Sequence, residues 1–126
     1  MPERILLVED DLRIRKSLAS FLRIEGYEVN EASNGQEVIE VLQKDEIDLV
    51  LSDVVMPGPD GFNLLRHVRS VTPEIPVFLM SGYFINPHQI VKEGAAGFIT
   101  KPFNLTELII QTYIGFKAAL ESVVNV

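Results

Sequence analysis

The 126-residue chain contains no cysteine. That absence excludes a disulfide scaffold, a thiolate zinc site and a cysteine nucleophile. Long apolar runs are missing as well, since none approaches the ~18–20 residues that a membrane span needs. The first apolar stretch, Ile5 to Val8, ends at once in Glu9, Asp10 and Asp11, which is not the pattern of a signal peptide. Basic residues are the scarcer charge. Eleven Lys and Arg against eighteen Asp and Glu leave a net charge of −7, whereas a protein that grips a phosphate backbone carries a basic face. Direct nucleic-acid binding and membrane insertion are therefore not expected, and the expected location is cytoplasmic. Apolar residues, by contrast, make up 47% of the chain, within the ~45–50% of ordinary globular proteins. A chain of this length buries roughly two thirds of its unfolded surface. One domain over residues 1–126 is the expectation.

Two kinds of segment alternate along it. Short, nearly unbroken apolar runs occur at Arg4–Val8, Tyr27–Asn30, Asp48–Ser52, Pro76–Met80 and Gly97–Thr100. Such runs suit strands covered on both faces, hence a parallel sheet. Helix-length segments lie between them. In the first, Ile14, Leu18, Phe21 and Leu22 recur on one predicted face, with Arg13, Arg15, Lys16 and Arg23 towards water and Gly26 as the stop. Asp11 reads as its cap. The second opens at Asn34 with Glu37 three residues on. The third follows Asp60-Gly61 and carries Phe62, Leu65 and Val68. The fourth is short, from Asn86-Pro87 to Gly94, and the fifth runs from Asn104 towards Leu120. The pattern is (βα)₅ in the α/β class, and right-handed crossovers make it a doubly wound, five-stranded parallel sheet with helices on both faces.

In open parallel sheets, ligands bind outside the carboxyl ends of the strands. Those ends carry Glu9, Asp10 and Asp11 after the first strand, Asp53 after the third, Ser81-Gly82 after the fourth and Lys101-Pro102 after the fifth. Carboxylates packed together repel unless a cation joins them, and hard oxygen donors select Mg²⁺, or Mn²⁺. A lysine ammonium and a serine hydroxyl suit phosphoryl oxygens, and an aspartate can itself accept a phosphoryl group. The chemistry expected is phosphoryl transfer to a carboxylate.

Four segments also carry a family resemblance. Leu7-Val8-Glu9-Asp10-Asp11, Asp53-Val54-Val55-Met56-Pro57-Gly58, Met80-Ser81-Gly82 and Thr100-Lys101-Pro102-Phe103 resemble the motifs of response-regulator receiver domains, in that family's order. The resemblance spans roughly residues 3 to 121. It implies the flavodoxin-like strand order 2-1-3-4-5 and a role in two-component phosphorelay. It further implies that Asp53 is the phosphoacceptor, Asp10 a direct Mg²⁺ ligand, Glu9 a ligand through water and the Val55 carbonyl a further ligand. Ser81 would hydrogen-bond the phosphoryl group, Lys101 would pair with it, and Lys101–Pro102 would be a cis peptide bond. Phe98 stands where the family places its switching aromatic. The implied donor is a histidine kinase or a histidine phosphotransfer protein. The implied output surface is the fourth helix, fifth strand and fifth helix.

The chain departs from the family in places. Ser81 to Lys101 is twenty residues, roughly two short of the usual spacing. The predicted fifth helix is apolar nearly all round, which points to cover by a partner or a second copy of the chain. Tyr83 stands two residues beyond Ser81, where its ring would shade the phosphoryl group from water. Two other functions compete with this one. A Mg²⁺-dependent aspartyl-phosphate phosphatase wants a second carboxylate two residues after the nucleophile, where Val55 stands. A pseudo-receiver that binds without phosphate lacks the acceptor or the lysine, and Asp53 and Lys101 are both present. The expectation is a signalling domain rather than an enzyme, with at most slow self-phosphorylation and self-dephosphorylation. Only Ser122 to Val126 follow the resemblance, so a stand-alone receiver and a piece of a longer regulator both stay open.

Overall fold

The computed structural model describes residues 3–53, 61–71, 75–81, 88, 92 and 94–100. Along them run β1 (Arg4–Val8), α1 (Leu12–Ile24), β2 (Glu28–Ala32), α2 (Gly35–Lys44), β3 (Leu49–Asp53), α3 (Gly61–Val71), β4 (Val77–Ser81) and β5 (Gly97–Thr100). All neighbouring strands pair in parallel, in the order β2-β1-β3-β4-β5. The predicted strand order and class hold. The predicted fifth helix lies outside the described residues, as does the fourth apart from His88, Lys92 and Gly94.

Continuous apolar strands have two faces to cover, and the helices divide that work. Leu6, Val8, Val50, Val77 and Leu79 form one buried cluster with Val38 of α2 and Leu64, Leu65 and Val68 of α3. Ile5, Leu7, Leu49, Leu51, Phe78, Met80 and Ile99 form the other, with Leu18, Ala19 and Leu22 of α1. Each fully buried Leu or Ile contributes roughly 1.5–3 kcal/mol relative to exposure. No helix among the described residues is long and apolar enough to cross a membrane.

The helix ends obey local chemistry. Asp11 caps α1, its carboxylate accepting from the amides of Arg13 and Ile14. At the other end Gly26 takes φ +102°, its amide donates to the Arg23 carbonyl and the next amide, of Tyr27, to Leu22. That pair of bonds is a Schellman closure, which favours glycine at the left-handed position. Asn34 caps α2 by accepting from the Glu37 amide at 3.0 Å. The return bond differs from a standard capping box: Glu37 reaches past Asn34 to the amide and hydroxyl of Ser33. Gly97 opens β5 because the Phe78 ring lies where a Cβ would stand.

Several expectations need correction. β3 is Leu49–Asp53 and β4 Val77–Ser81, each one residue later than Asp48–Ser52 and Pro76–Met80, so Asp53 and Ser81 end their strands rather than follow them. The second strand is Glu28–Ala32 rather than Tyr27–Asn30. As an edge strand it has one neighbour only, so polar residues are tolerated where an unbroken apolar run was sought. On α1 the buried stripe is shifted by one position. Ile14 is 43% exposed, while the Arg15 side chain, expected to face water, is only 14% exposed.

Candidate functional site

β1 and β3 are adjacent and parallel, with Val8 opposite Ser52. The residues that follow therefore meet at one edge of the sheet. Glu9 leaves β1 directly and Asp53 ends β3. The result is a triad of carboxylates, Glu9, Asp10 and Asp53, whose candidate ligand oxygens all lie within 4.8 Å of one another. Glu9 is 1% exposed and Asp53 7% exposed, whereas Asp10 is open to solvent. Carboxylates that converge in this way can share one cation. An all-oxygen donor set with one exposed member fits Mg²⁺, which keeps several waters and binds through one or two carboxylates.

Ser81 is buried at the end of β4. Asp53 pairs with Met80, so Ser81 lies one step beyond Asp53 along the neighbouring strand, opposite Thr100 of β5. Phe98 is partly buried against the cluster that α2 and α3 cover. The structure thus brings Glu9, Asp10, Asp53 and Ser81 to one edge of the sheet. Lys101, Val55 and Tyr83 lie outside the described residues.

Behind the triad stands a set of charges that the sequence reading did not assign to the site. Arg15 Nη1 donates to the Glu9 carbonyl at 2.9 Å, and its Nε donates to Glu31 Oε1 at 3.3 Å. Glu31 also accepts from Lys16 at 3.2 Å and Arg23 at 3.3 Å. Burial alone would raise the Glu31 carboxyl, but hydrogen bonds and charge from Lys16 and Arg23 outweigh it and hold the group below the ordinary carboxylate range. A signal was available: Arg15 stands three, four and seven residues before Leu18, Ala19 and Leu22, so it belongs to the buried stripe. An arginine in that stripe needs a partner inside.

The family model of the response regulator receiver domain matches residues 5–112. The chain belongs to that family. Among curated relatives, the response regulator protein FleR of Pseudomonas aeruginosa is 36% identical over 86% of this chain, and the sensor kinase CckA of Brucella abortus is 39% identical over 82%. The matches span 24% and 11% of those two proteins. A CheY-like receiver domain protein from Methanospirillum hungatei superposes with a TM-score of 0.91 at 27% identity, over 97% of this chain and 99% of the other. Receivers are signalling domains of two-component response regulators, and the acidic pocket in which the family holds Mg²⁺ has its counterpart here in Glu9, Asp10 and Asp53.

Proposed function

We propose that this receiver accepts a phosphoryl group on the Asp53 carboxylate from the phosphohistidine of a histidine kinase or a histidine phosphotransfer protein. The convergence of Glu9, Asp10 and Asp53 within 4.8 Å at the carboxyl edge of a parallel sheet carries the reading. An Asp53 oxygen attacks phosphorus, the phosphorus–nitrogen bond to the donor imidazole breaks, and the imidazole leaves as the acyl phosphate forms. Glu9, Asp10, Asp53 and the Val55 carbonyl would hold Mg²⁺, which would supply charge neutralisation for the phosphoryl oxygens. Ser81 turns its hydroxyl to one phosphoryl oxygen, and Lys101, next in sequence after Thr100, supplies the cation for another. Tyr83 shades the product from water.

Movement of Ser81 towards the phosphoryl group vacates space into which Phe98 turns. A ring that is only partly buried is suited to two positions. The output is a changed surface on the fourth helix, β5 and the fifth helix, read by a downstream protein or a second copy of the chain. Residues 1–126 act on this reading as one receiver unit, with its core at about 3–121, in the cytoplasm. Asp53→Asn is expected to abolish Mg²⁺-dependent labelling by acetyl phosphate. Stoichiometric labelling of that variant would show that the acceptor lies elsewhere.

A further inference from the structure

The Glu9–Asp10 peptide governs where both carboxylates point, because its plane sets ψ of Glu9 and φ of Asp10. The chain grips this stretch from two sides. The Glu9 amide donates to the Ala32 carbonyl at 3.0 Å, and the Glu9 carbonyl accepts from Arg15 at 2.9 Å. One guanidinium reaches both that carbonyl and Glu31, because its donors form a rigid fork. Glu31 is itself fixed by Lys16 and Arg23, so the grip is anchored on β2 and α1 at once.

We propose that Arg15 is a positioning residue for divalent-cation binding: it aims the Glu9 and Asp10 carboxylates by locking their shared peptide, with Glu31 as its anchor. This inference rests on the reading of Glu9, Asp10 and Asp53 as the Mg²⁺ pocket. Charge and positioning predict opposite signs. A guanidinium near a cation site repels the cation, so its loss would tighten binding if charge alone mattered. Loss of a lock on the ligands weakens binding instead.

The test is Mg²⁺ titration of the full chain by calorimetry or amide NMR shifts, well below each variant's melting temperature. Wild type is expected to bind, and Asp10→Asn to lose binding, if the pocket is read correctly. Against that baseline Arg15→Ala is expected to bind about tenfold more weakly, the lower end of the ~10–100-fold typical of outer-shell partners. Arg15→Lys keeps the charge without the fork and is expected to weaken binding too. Glu31→Gln loses less, since the bond to the Glu9 carbonyl can persist. Should Arg15→Ala not fold, Arg15→Lys carries the test. Binding by the Arg15 variants as tight as wild type, or tighter, overturns the proposal and leaves the pocket standing. No Mg²⁺ binding by wild type overturns the pocket, and this proposal with it.

Discussion

At the amino end of β1, Arg4 stands among acidic side chains; at its carboxyl end, acidic side chains close on each other. Arg4 pairs with Glu28 at 2.8 Å and Asp45 at 3.4 Å, and its amide donates to Asp48 at 2.7 Å. Those groups are a third or more exposed. Glu9 and Asp53 are buried, and with Asp10 they converge within 4.8 Å. Acidic clusters at the two ends of one strand therefore do different work. The first surrounds an exposed arginine at the bottom of the sheet, whereas the second brings two buried carboxylates and an exposed one close enough to share a cation. Acid content alone does not mark a site; burial and convergence do.

The sharpest way to break this comparison is to neutralise one carboxylate at the carboxyl end. Asp53→Asn is expected to raise stability by about 1–3 kcal/mol in chelator, as repulsion between close charges is removed. In saturating Mg²⁺ the order should reverse, because only wild type gains the full binding free energy. Denaturant melts with and without Mg²⁺ measure both. A variant less stable than wild type in chelator would make the two ends alike.

Acid titration gives a smaller effect and sharpens the role of the clamp. Glu31 is held below its ordinary 4.5, the cations outweighing burial, and Glu37 is held below 4.5 by the Ser33 hydroxyl and amide. The unfolded chain therefore takes up these protons first. Their stabilisation is complete above about pH 4.5 and disappears as pH falls through the depressed values. Melting temperature against pH should show this acid limb, flattened in Glu37→Gln; an unchanged limb would remove Glu37 from the account. The smallest effect belongs to Arg4→Ala. Its ion pairs lie in solvent, so the loss in melting temperature should be slight and vanish near about 1 M salt. A large, salt-independent loss would mean that the amino-end cluster is no ordinary surface network.

Most of this architecture was legible in the residues. Buried parallel strands are written as unbroken apolar runs, which is why β1 and β5 fall on their predicted residues. The caps Asp11 and Asn34 were legible because their chemistry is local. β2 was misplaced because Glu28, Asn30 and Glu31 interrupt any apolar run, and the tolerance of an edge position depends on strand order. Glu9, Asp10, Asp53 and Ser81 could be assigned to one edge because strand ends follow from topology. The burial of Arg15 was legible from its spacing to Leu18, Ala19 and Leu22, but its place beside the site was not, because its two acceptors come from separate elements: a carbonyl six residues earlier and a carboxylate sixteen residues later. A long side chain also buries its stem while its head finds a partner, so periodicity scored by residue type misjudges it.

The polar character of β2 has a consequence for solubility. Among the described residues no strand pairs its outer edge, where the Val29 carbonyl accepts from Arg23 instead; an uncovered edge is the route by which sheets stack into fibrils. Glu28 and Glu31 stand along that rim, braced by Arg4 on one side and by Arg15, Lys16 and Arg23 on the other. An incoming copy in register would have to set carboxylate against carboxylate and break those ion pairs, which disfavours pairing along this edge.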